Sequence, residues 1–240
     1  MKRALVIGGS GQLGQVLCRA LHAADARVAF TYFQGENSAK SLQHELGCDA
    51  ARLDLRELAT VGPALLDLTD RLGGIDCLIH AATIGSTLTP PAFDRLEDTT
   101  VEGFQELMAV NVGSAYFACQ ALAPQLGAGQ GNIVLLGSVD GIKPVPSPPP
   151  YAVSKAALKG LALSLCKALG PSGVCVNVVA PGVLERGASH TLPDQLRVEY
   201  LKHCGLKRVG RLEEAANLVC WLGLHNTYIT GQTLMVDGGL

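Results

Sequence analysis

The residues best suited to chemistry lie in one segment, SVDGIKPVPSPPPYAVSK, which runs from Ser138 to Lys155. Tyr151 and Lys155 are four residues apart, so a helix that begins near the tyrosine places the phenol and the ammonium group on one face. A tyrosine ordinarily has a pKa of about 10, and a nearby cation favours the phenolate and lowers that pKa. Tyr151 could therefore act as a general acid or base. Ser138 offers a hydroxyl group that could hydrogen-bond a carbonyl oxygen.

The elements that must position these side chains follow from an alternation of short apolar runs with helical patterns. Strands that alternate with helices imply right-handed crossovers and a parallel sheet with helices on both faces. The sequence thus predicts an α/β fold, a doubly wound parallel sheet of the Rossmann type, in a single domain over residues 1–240. The strands are predicted at Ala4 to Ile7, Val28 to Tyr32, Ala51 to Leu55, Asp76 to Ala82, Ile133 to Gly137, Val174 to Val179 and Leu234 to Val236.

Composition argues against several classes of protein. A net charge of -2 over 240 residues gives no basic excess for nucleic acid and no polybasic patch for a membrane. No apolar run approaches the ~20 residues of a membrane span, and the first strand begins close to Met1, so we expect a cytoplasmic protein without a signal peptide. The eight cysteines lack Cys-x-x-Cys spacing and close histidine partners, so reduced, buried thiols are favoured over disulfides or a metal site.

The turn between the first strand and the first helix is rich in glycine. Glycines let the backbone approach a pyrophosphate, and the helix N-terminus supplies free N–H groups and the positive end of a dipole. Because the motif joins a strand to a helix, we favour dinucleotide binding over an ordinary tight turn. The candidate binding residues of this turn are Gly8, Ser10, Gly11, Gln12, Leu13 and Gly14.

The end of the second strand bears on the choice between NAD and NADP. An acidic residue there would bind the ribose hydroxyl groups of NAD, but this position holds Tyr32, followed by Phe33. The usual basic residue for the NADP phosphate is missing as well, and Lys40 or Ser38 could compensate unless they form the solvated face of the next helix. NADP is preferred by exclusion, and NAD stays open.

The serine after a strand, the Tyr-x-x-x-Lys motif and the glycine turn together resemble the short-chain dehydrogenase/reductase family, of the compact single-domain type, along essentially the whole chain. The glycine turn departs from the usual Thr-Gly-x-x-x-Gly-x-Gly, with Ile7 for the threonine and Gln12 for the middle glycine. The overall pattern is most similar to the β-ketoacyl carrier-protein reductases and their many relatives.

The resemblance implies a role for each member of a catalytic set. Ser138 would polarise a substrate carbonyl, Tyr151 would donate the proton, and Lys155 would lower the tyrosine pKa and bind the nicotinamide ribose. Asn111 lies in a long helix predicted from Thr100 to Ala123. It matches the family asparagine that bends this helix and holds a water linked to the lysine.

The resemblance also assigns residues to the cofactor. The Asp54 side chain would contact the adenine, with Leu55 beside it. Ala81 and Ala82 are small, so the backbone there would lie against the cofactor. A strand that ends in Pro-Gly would lie beside the nicotinamide. The complete cofactor set adds Tyr32, Phe33, Tyr151, Lys155, Pro181, Gly182 and Val183 to the residues of the glycine turn.

Two segments are predicted to border the substrate. Five prolines between Ser138 and Tyr151 should make that connection stiff, and we favour a rigid pocket wall over a surface loop. Residues from Val183 to about Gly205 are predicted to form a mobile lid. Three charged or titratable residues there are interpreted as solvated rather than as selective for an anionic substrate: Glu185, Arg186 and His190.

The resemblance implies an NAD(P)-dependent oxidoreductase that transfers a hydride between nicotinamide and a ketone or secondary alcohol. The expected partners are a small-molecule carbonyl or alcohol substrate and further copies of the chain, in a homotetramer or homodimer. The alternative is a catalytically silent dinucleotide-binding regulatory or scaffold protein. An incomplete catalytic set would mark that alternative, and here all four positions are filled.

Overall fold

A computed structural model describes residues 1–85, 95–187 and 194–240. Within these ranges seven strands form one parallel sheet in the order β3-β2-β1-β4-β5-β6-β7. The predicted doubly wound α/β sheet is confirmed. The strands are β1 (Arg3–Ile7), β2 (Arg27–Tyr32), β3 (Asp49–Arg52), β4 (Cys77–His80), β5 (Asn132–Leu136), β6 (Cys175–Pro181) and β7 (Thr233–Val236).

Helices cover both faces of the sheet. The helices are α1 (Gln12–Ala23), α2 (Glu36–Leu46), α3 (Leu58–Leu72), α4 (Val101–Met108), α5 (Ser114–Gly129), α6 (Pro149–Leu169), α7 (Asp194–His203) and α8 (Leu212–Leu224). One apolar core lies under α3, α5 and α6 and includes Leu65, Leu122 and Leu158, and a second core lies under α1, α2 and α8. Because both faces are buried, the strands are nearly continuous runs of apolar residues.

The third strand lies earlier in the chain than the predicted Ala51 to Leu55. Leu53 still donates its backbone N–H to the Tyr32 carbonyl at 2.7 Å. The chain then turns, because the Asp54 carboxylate accepts the backbone N–H of Arg56 at 3.0 Å. This side-chain turn ends the extended backbone, and it places Asp54 in a loop rather than in the sheet.

The predicted helix from Thr100 to Ala123 is two helices, α4 and α5, joined by a π-helical turn at Ala109–Gly113. Thr100 caps α4 by accepting the backbone N–H of Gly103 at 3.0 Å. α5 continues to Gly129, beyond the predicted end. The π-helical turn contains Asn111, and such turns occur often at functional sites.

The strand order reverses between β1 and β4, which are neighbours in the sheet. Ile7 pairs with Thr31 on one side and with His80 on the other. The loops that follow these two strands leave in opposite directions, and the crevice between them is where such sheets bind ligands.

Two expectations from composition can be compared with the structure. In the described part of the chain, no helix is both long enough and apolar enough to cross a membrane. The eight cysteines all lie within the described ranges as free thiols, six of them buried. This agrees with the prediction of unpaired, mostly buried cysteines.

Candidate active site

A cavity of about 1250 Å³ opens at the carboxyl ends of the strands. Its wall includes every predicted cofactor residue and three of the four predicted catalytic residues, and the fourth, Asn111, lies behind it. The predicted residues on the wall are Gly8, Ser10, Gly11, Gln12, Leu13, Gly14, Tyr32, Phe33, Asp54, Leu55, Ala81, Ala82, Ser138, Tyr151, Lys155, Pro181, Gly182 and Val183.

The turn after β1 has the shape that a pyrophosphate group requires. Gly8 has a φ of +86°, and a Cβ there would lie 2.8 Å from the Ala82 nitrogen. A Cβ on Gly14 would overlap the Gly8 carbonyl oxygen, so a side chain there would block the tight turn. Gly11 precedes α1 without a side-chain cap, which leaves the first N–H groups of the helix for a ligand. Gln12 is already helical, so the missing middle glycine is not needed for this turn.

The part of the cavity predicted to hold the adenosine contains an ion pair that the sequence did not reveal. The Arg56 guanidinium contacts the Asp54 carboxylate, with Nη2 2.6 Å from Oδ2, and this hydrogen bond lowers the pKa of Asp54. The same guanidinium lies 4.9 Å from the centre of the Phe33 ring. Asp54 thus lines the cavity with its charge already paired, and its contact with adenine stays a prediction.

Arg52 is a candidate phosphate-binding residue that sequence reasoning missed. It pairs with Tyr32 in the sheet, and its guanidinium lies 5.1 Å from the centre of the Phe33 ring. Its Nε donates to the Phe33 carbonyl at 3.3 Å. The structure thereby brings a cation to the end of β2, where an arginine can accommodate the phosphate of NADP. No signal in the sequence points to Arg52, because its place at the end of β2 depends on the register between two strands.

Tyr151 and Lys155 lie on the first turns of α6. The helix begins with Pro149 and Pro150, whose fixed φ suits a first turn. Both residues are buried, with Tyr151 5% and Lys155 3% exposed. Lys155 Nζ lies 5.5 Å from the centre of the Tyr151 ring and donates to the Leu136 carbonyl at 2.8 Å. The predicted helix therefore brings the ammonium group and the phenol together.

The ammonium group of Lys155 is held in an unusual environment. Burial lowers the pKa of Lys155 to about 8, and the negative charge of Asp140 opposes this by raising it. A lysine whose pKa lies near neutrality can exchange its proton with groups around it.

Ser138 follows β5 and begins a short 3₁₀ turn, Val139–Gly141. Its hydroxyl group donates to the Asp140 carboxylate in a short hydrogen bond and accepts the backbone N–H of Asp140 at 3.3 Å. The single proton of Ser138 is therefore directed to Asp140. Sequence reasoning missed Asp140, although an acidic residue two positions after the serine was a visible signal.

Asn111 is fully buried in the π-helical turn. Its Oδ1 accepts from the Ile84 backbone at 2.9 Å and from Thr83 Oγ1 at 3.3 Å. Its Nδ2 donates to the Ile84 carbonyl and to Ser154 Oγ, both at 3.0 Å. These four bonds use the full capacity of the amide. Asn111 thus ties the loop after β4 to α6, and the predicted water link to Lys155, which stays a prediction, cannot run through this amide.

A second buried network lies beside this turn. Ser114 donates its hydroxyl proton to the Val110 carbonyl at 2.6 Å, so His80, whose Nε2 lies 2.7 Å from Ser114 Oγ, is the donor in that pair. Burial and the positive charge of Lys155 lower the pKa of His80 to about 3. His80 is thus a neutral side chain that joins β4 to the π-helical turn.

The substrate side of the cavity is only partly described. Residues 188–193, which include His190 and the middle of the predicted lid, lie outside the described ranges. Arg186 lies near the Glu185 carboxylate at 3.5 Å and the Glu213 carboxylate at 3.7 Å. It is therefore a solvated charge with acidic partners, as interpreted from the sequence. Three prolines of the predicted wall border the cavity: Pro144, Pro146 and Pro148.

A doubly wound sheet with a glycine turn at a helix N-terminus, and a serine, tyrosine and lysine around the same cavity, define a dinucleotide-dependent oxidoreductase. The profile of a family described as Enoyl-(Acyl carrier protein) reductase matches residues 10–240. The chain belongs to the short-chain dehydrogenase/reductase family, as the resemblance predicted.

Two curated relatives are similar over nearly their full length. The chain is 32% identical to the cyclic-di-GMP-binding biofilm dispersal mediator protein of Escherichia coli (strain K12), over 99% of this chain and 96% of that protein. It is 30% identical to the 3-oxoacyl-[acyl-carrier-protein] reductase FabG of Chlamydia muridarum, over 100% of this chain and 97% of that protein.

Solved structures share the whole fold. A dehydrogenase/reductase from Sinorhizobium meliloti 1021 has a TM-score of 0.89 at 33% identity, covering 99% of this chain and 94% of that one. A blue fluorescent protein from a metagenomic library, in complex with NADPH, has a TM-score of 0.88 at 30% identity, covering 99% of this chain and 97% of that one. BdcA in complex with NADPH has a TM-score of 0.86 at 30% identity, covering 100% of this chain and 94% of that one. The expectation of NADP agrees with these two NADPH complexes.

Proposed function

We propose that this protein catalyses reversible hydride transfer between NADP(H) and a ketone or secondary alcohol, with Tyr151 as the acid or base. The observation that carries the proposal is the buried Tyr151–Lys155 pair, with Nζ 5.5 Å from the ring centre, on the wall of the cavity that also contains the glycine turn. The cofactor is NADP, which the NADPH complexes of two similar structures support.

Each protein group has a defined task in the reduction. Bound NADPH would supply the hydride, held at its pyrophosphate by the turn after β1. Tyr151 donates a proton to the reacting oxygen, and the ammonium group of Lys155 stabilises the phenolate that remains. Ser138 donates a hydrogen bond to the same oxygen, which requires its hydroxyl to turn away from Asp140.

Replacing Tyr151 with phenylalanine tests the proposal. General acid catalysis typically contributes ~10²- to 10⁴-fold, so kcat of Tyr151→Phe should fall by at least about 10²-fold while NADPH binding, measured by fluorescence titration, is retained. The substrates would be β-ketoacyl thioesters, cyclic ketones and secondary alcohols. Tyr228→Phe, which alters a tyrosine that is 95% exposed, is the matched control. Unchanged turnover in Tyr151→Phe would refute the assignment.

A second candidate function is a dinucleotide-binding regulator without chemistry. The similarity to a protein named as a cyclic-di-GMP-binding biofilm dispersal mediator favours it. This candidate predicts saturable NADPH binding with no turnover of the whole substrate panel, and saturable binding of cyclic di-GMP by calorimetry. Turnover that depends on Tyr151 would exclude a purely regulatory role.

The organisation predicted around the site is part of the proposal. Residues 1–240 form a single domain, the segment from Val183 to about Gly205 is a substrate lid, and the protein assembles as a homotetramer or homodimer in the cytoplasm. Size-exclusion chromatography with light scattering would measure the number of subunits.

A further inference from the structure

The carboxylate of Asp140 is a cavity group to which the proposed reaction gives no task. It is partly buried, lines the same cavity as Tyr151 and Lys155, and accepts the Ser138 hydroxyl proton. A carboxylate accepts a hydrogen bond from a ligand as readily as from a protein hydroxyl group, so a donor on the substrate can compete with Ser138 for Asp140. Any role of Asp140 toward the substrate rests on the proposed function, because that function defines the reaction and the reacting oxygen.

Asp140 forms no salt bridge with any residue in the described ranges. Every basic side chain on the cavity wall contacts another group within the described ranges. A partly buried carboxylate whose nearest donor is a neutral hydroxyl group, and which no cation contacts in the described part of the chain, favours a ligand that donates a hydrogen bond to it. The basic groups and their partners are Lys143 with Asp237, Lys155 with the Leu136 carbonyl, Arg56 with Asp54, Arg186 with Glu185, and His203 with Glu199.

The position of Asp140 defines which part of a substrate could reach it. The Ser138 hydroxyl contacts the carboxylate, and in the proposed function it also contacts the reacting oxygen, so two hydrogen bonds, about 5 Å, would separate the carboxylate from that oxygen. A polar substituent on the carbon next to the reacting carbon spans most of that gap. A substituent further along the substrate has no such geometric link to the reacting oxygen.

We propose that Asp140 is a specificity-determining residue that favours ketones and alcohols carrying a hydrogen-bond donor, a hydroxyl or ammonium group, on the carbon next to the reacting carbon. Such a donor takes the place of the Ser138 hydroxyl on the carboxylate. The proton of Ser138 then becomes available to the reacting oxygen. The substituent thereby affects turnover as well as binding.

The test compares 2-hydroxyacetophenone with 2-methoxyacetophenone, since both substituents place an oxygen on the neighbouring carbon but only the hydroxyl donates. With NADPH, kcat/KM of the wild type should favour the hydroxy ketone about 10- to 100-fold, the range expected for a hydrogen bond to a charged group. Asp140→Ala should abolish this preference, because the carboxylate that accepts the substrate hydroxyl is gone. Asp140→Asn should keep part of the hydroxyl preference, because its amide oxygen still accepts, but lose any preference for 2-aminoacetophenone.

Glu199→Gln is the matched control, since Glu199 is a second carboxylate on the wall that already contacts Lys202 and His203. It should leave the ratio of the two ketones unchanged. A ratio that persists in Asp140→Ala, or an equal loss for both ketones, overturns the proposal and leaves Asp140 a structural residue.

The two proposals fail in different ways. Reduction of the methoxy ketone that depends on Tyr151 supports the proposed function whatever the ratio is. If the wild type reduces neither ketone, the dissociation constants of both ketones for the NADPH-loaded protein decide the role of Asp140. Tighter binding of the hydroxy ketone that is lost in Asp140→Ala supports it, and equal binding overturns it.

Discussion

Replacing Lys155 with methionine should change how the free energy of unfolding depends on pH. The lysine is 3% exposed, and burial lowers its pKa from 10.5 to about 8. The charged form is therefore disfavoured in the folded protein. At about 1.4 kcal/mol for each pH unit, this difference amounts to about 3 kcal/mol.

The sign depends on which state binds the proton. Below pH 8 the lysine is charged in both states, and the folded protein carries the full cost. Between pH 8 and 10.5 the folded state releases the proton while the unfolded state keeps it, so the free energy of unfolding rises with pH. The wild type should thus gain about 3 kcal/mol over this range relative to Lys155→Met, and lose it again as the pH falls toward 8.

The assay is urea denaturation of both proteins, without cofactor, at steps from about pH 7.5 to 10.5, which spans the folded and unfolded pKa values of the lysine. The difference between their free energies of unfolding is the informative quantity, because the titration of groups that do not face Lys155 cancels. Lys159→Met, on the exposed side of the same helix, is the matched control for removing a lysine. The groups that face Lys155 are Tyr151, Asp140 and His80. A difference that stays constant over this range would refute the argument that burial disfavours the charge.

Three further changes test other parts of the structure. Arg52→Ala should raise the dissociation constant for NADPH at least about tenfold and leave that for NADH unchanged, as measured by fluorescence titration, because only NADPH carries the additional phosphate. Gly14→Ala should lower the melting temperature and NADPH affinity, since its Cβ would overlap the Gly8 carbonyl, whereas Gly160→Ala in open space should stabilise α6 by up to about 1 kcal/mol. Asn111→Ala removes four hydrogen bonds and should cost about 4 kcal/mol in urea denaturation, against about 2 kcal/mol for Ser154→Ala, which removes two.

The sheet and the helix that carries Tyr151 and Lys155 could be predicted because their signals are local. Buried parallel strands are short apolar runs, and a glycine turn between a strand and a helix is visible without knowing any partner. The four-residue spacing of Tyr151 and Lys155 fixes their common face as soon as the helix forms. The same reasoning erred at the third strand, because the side-chain turn at Asp54 ended the extended chain before the apolar residue Leu55.

The remaining groups of the site depend on contacts between distant parts of the chain. Arg52 reaches Phe33 only through the register of two strands, and the partners of Asn111 come from the loop after β4 and from α6. No periodicity encodes such pairings. Asp140 is close to its partner in the sequence, since it lies two residues after Ser138. Its carboxylate reaches the Ser138 hydroxyl because of the 3₁₀ turn, however, and no repeating pattern in the sequence predicts that turn.

In the proposed function, this division assigns proton transfer and substrate choice to two different parts of the site. Tyr151 and Lys155 are held by one helix and by the end of β5, so their geometry survives changes in the surrounding loops. The wall between Ser138 and α6 has a different anchor. The ammonium group of Lys143 in this wall lies 2.7 Å from the carboxylate of Asp237, which follows β7. Asp140 lies on that same wall. If the proposed function holds, substitutions there should change which substrates bind without moving the Tyr151 phenol.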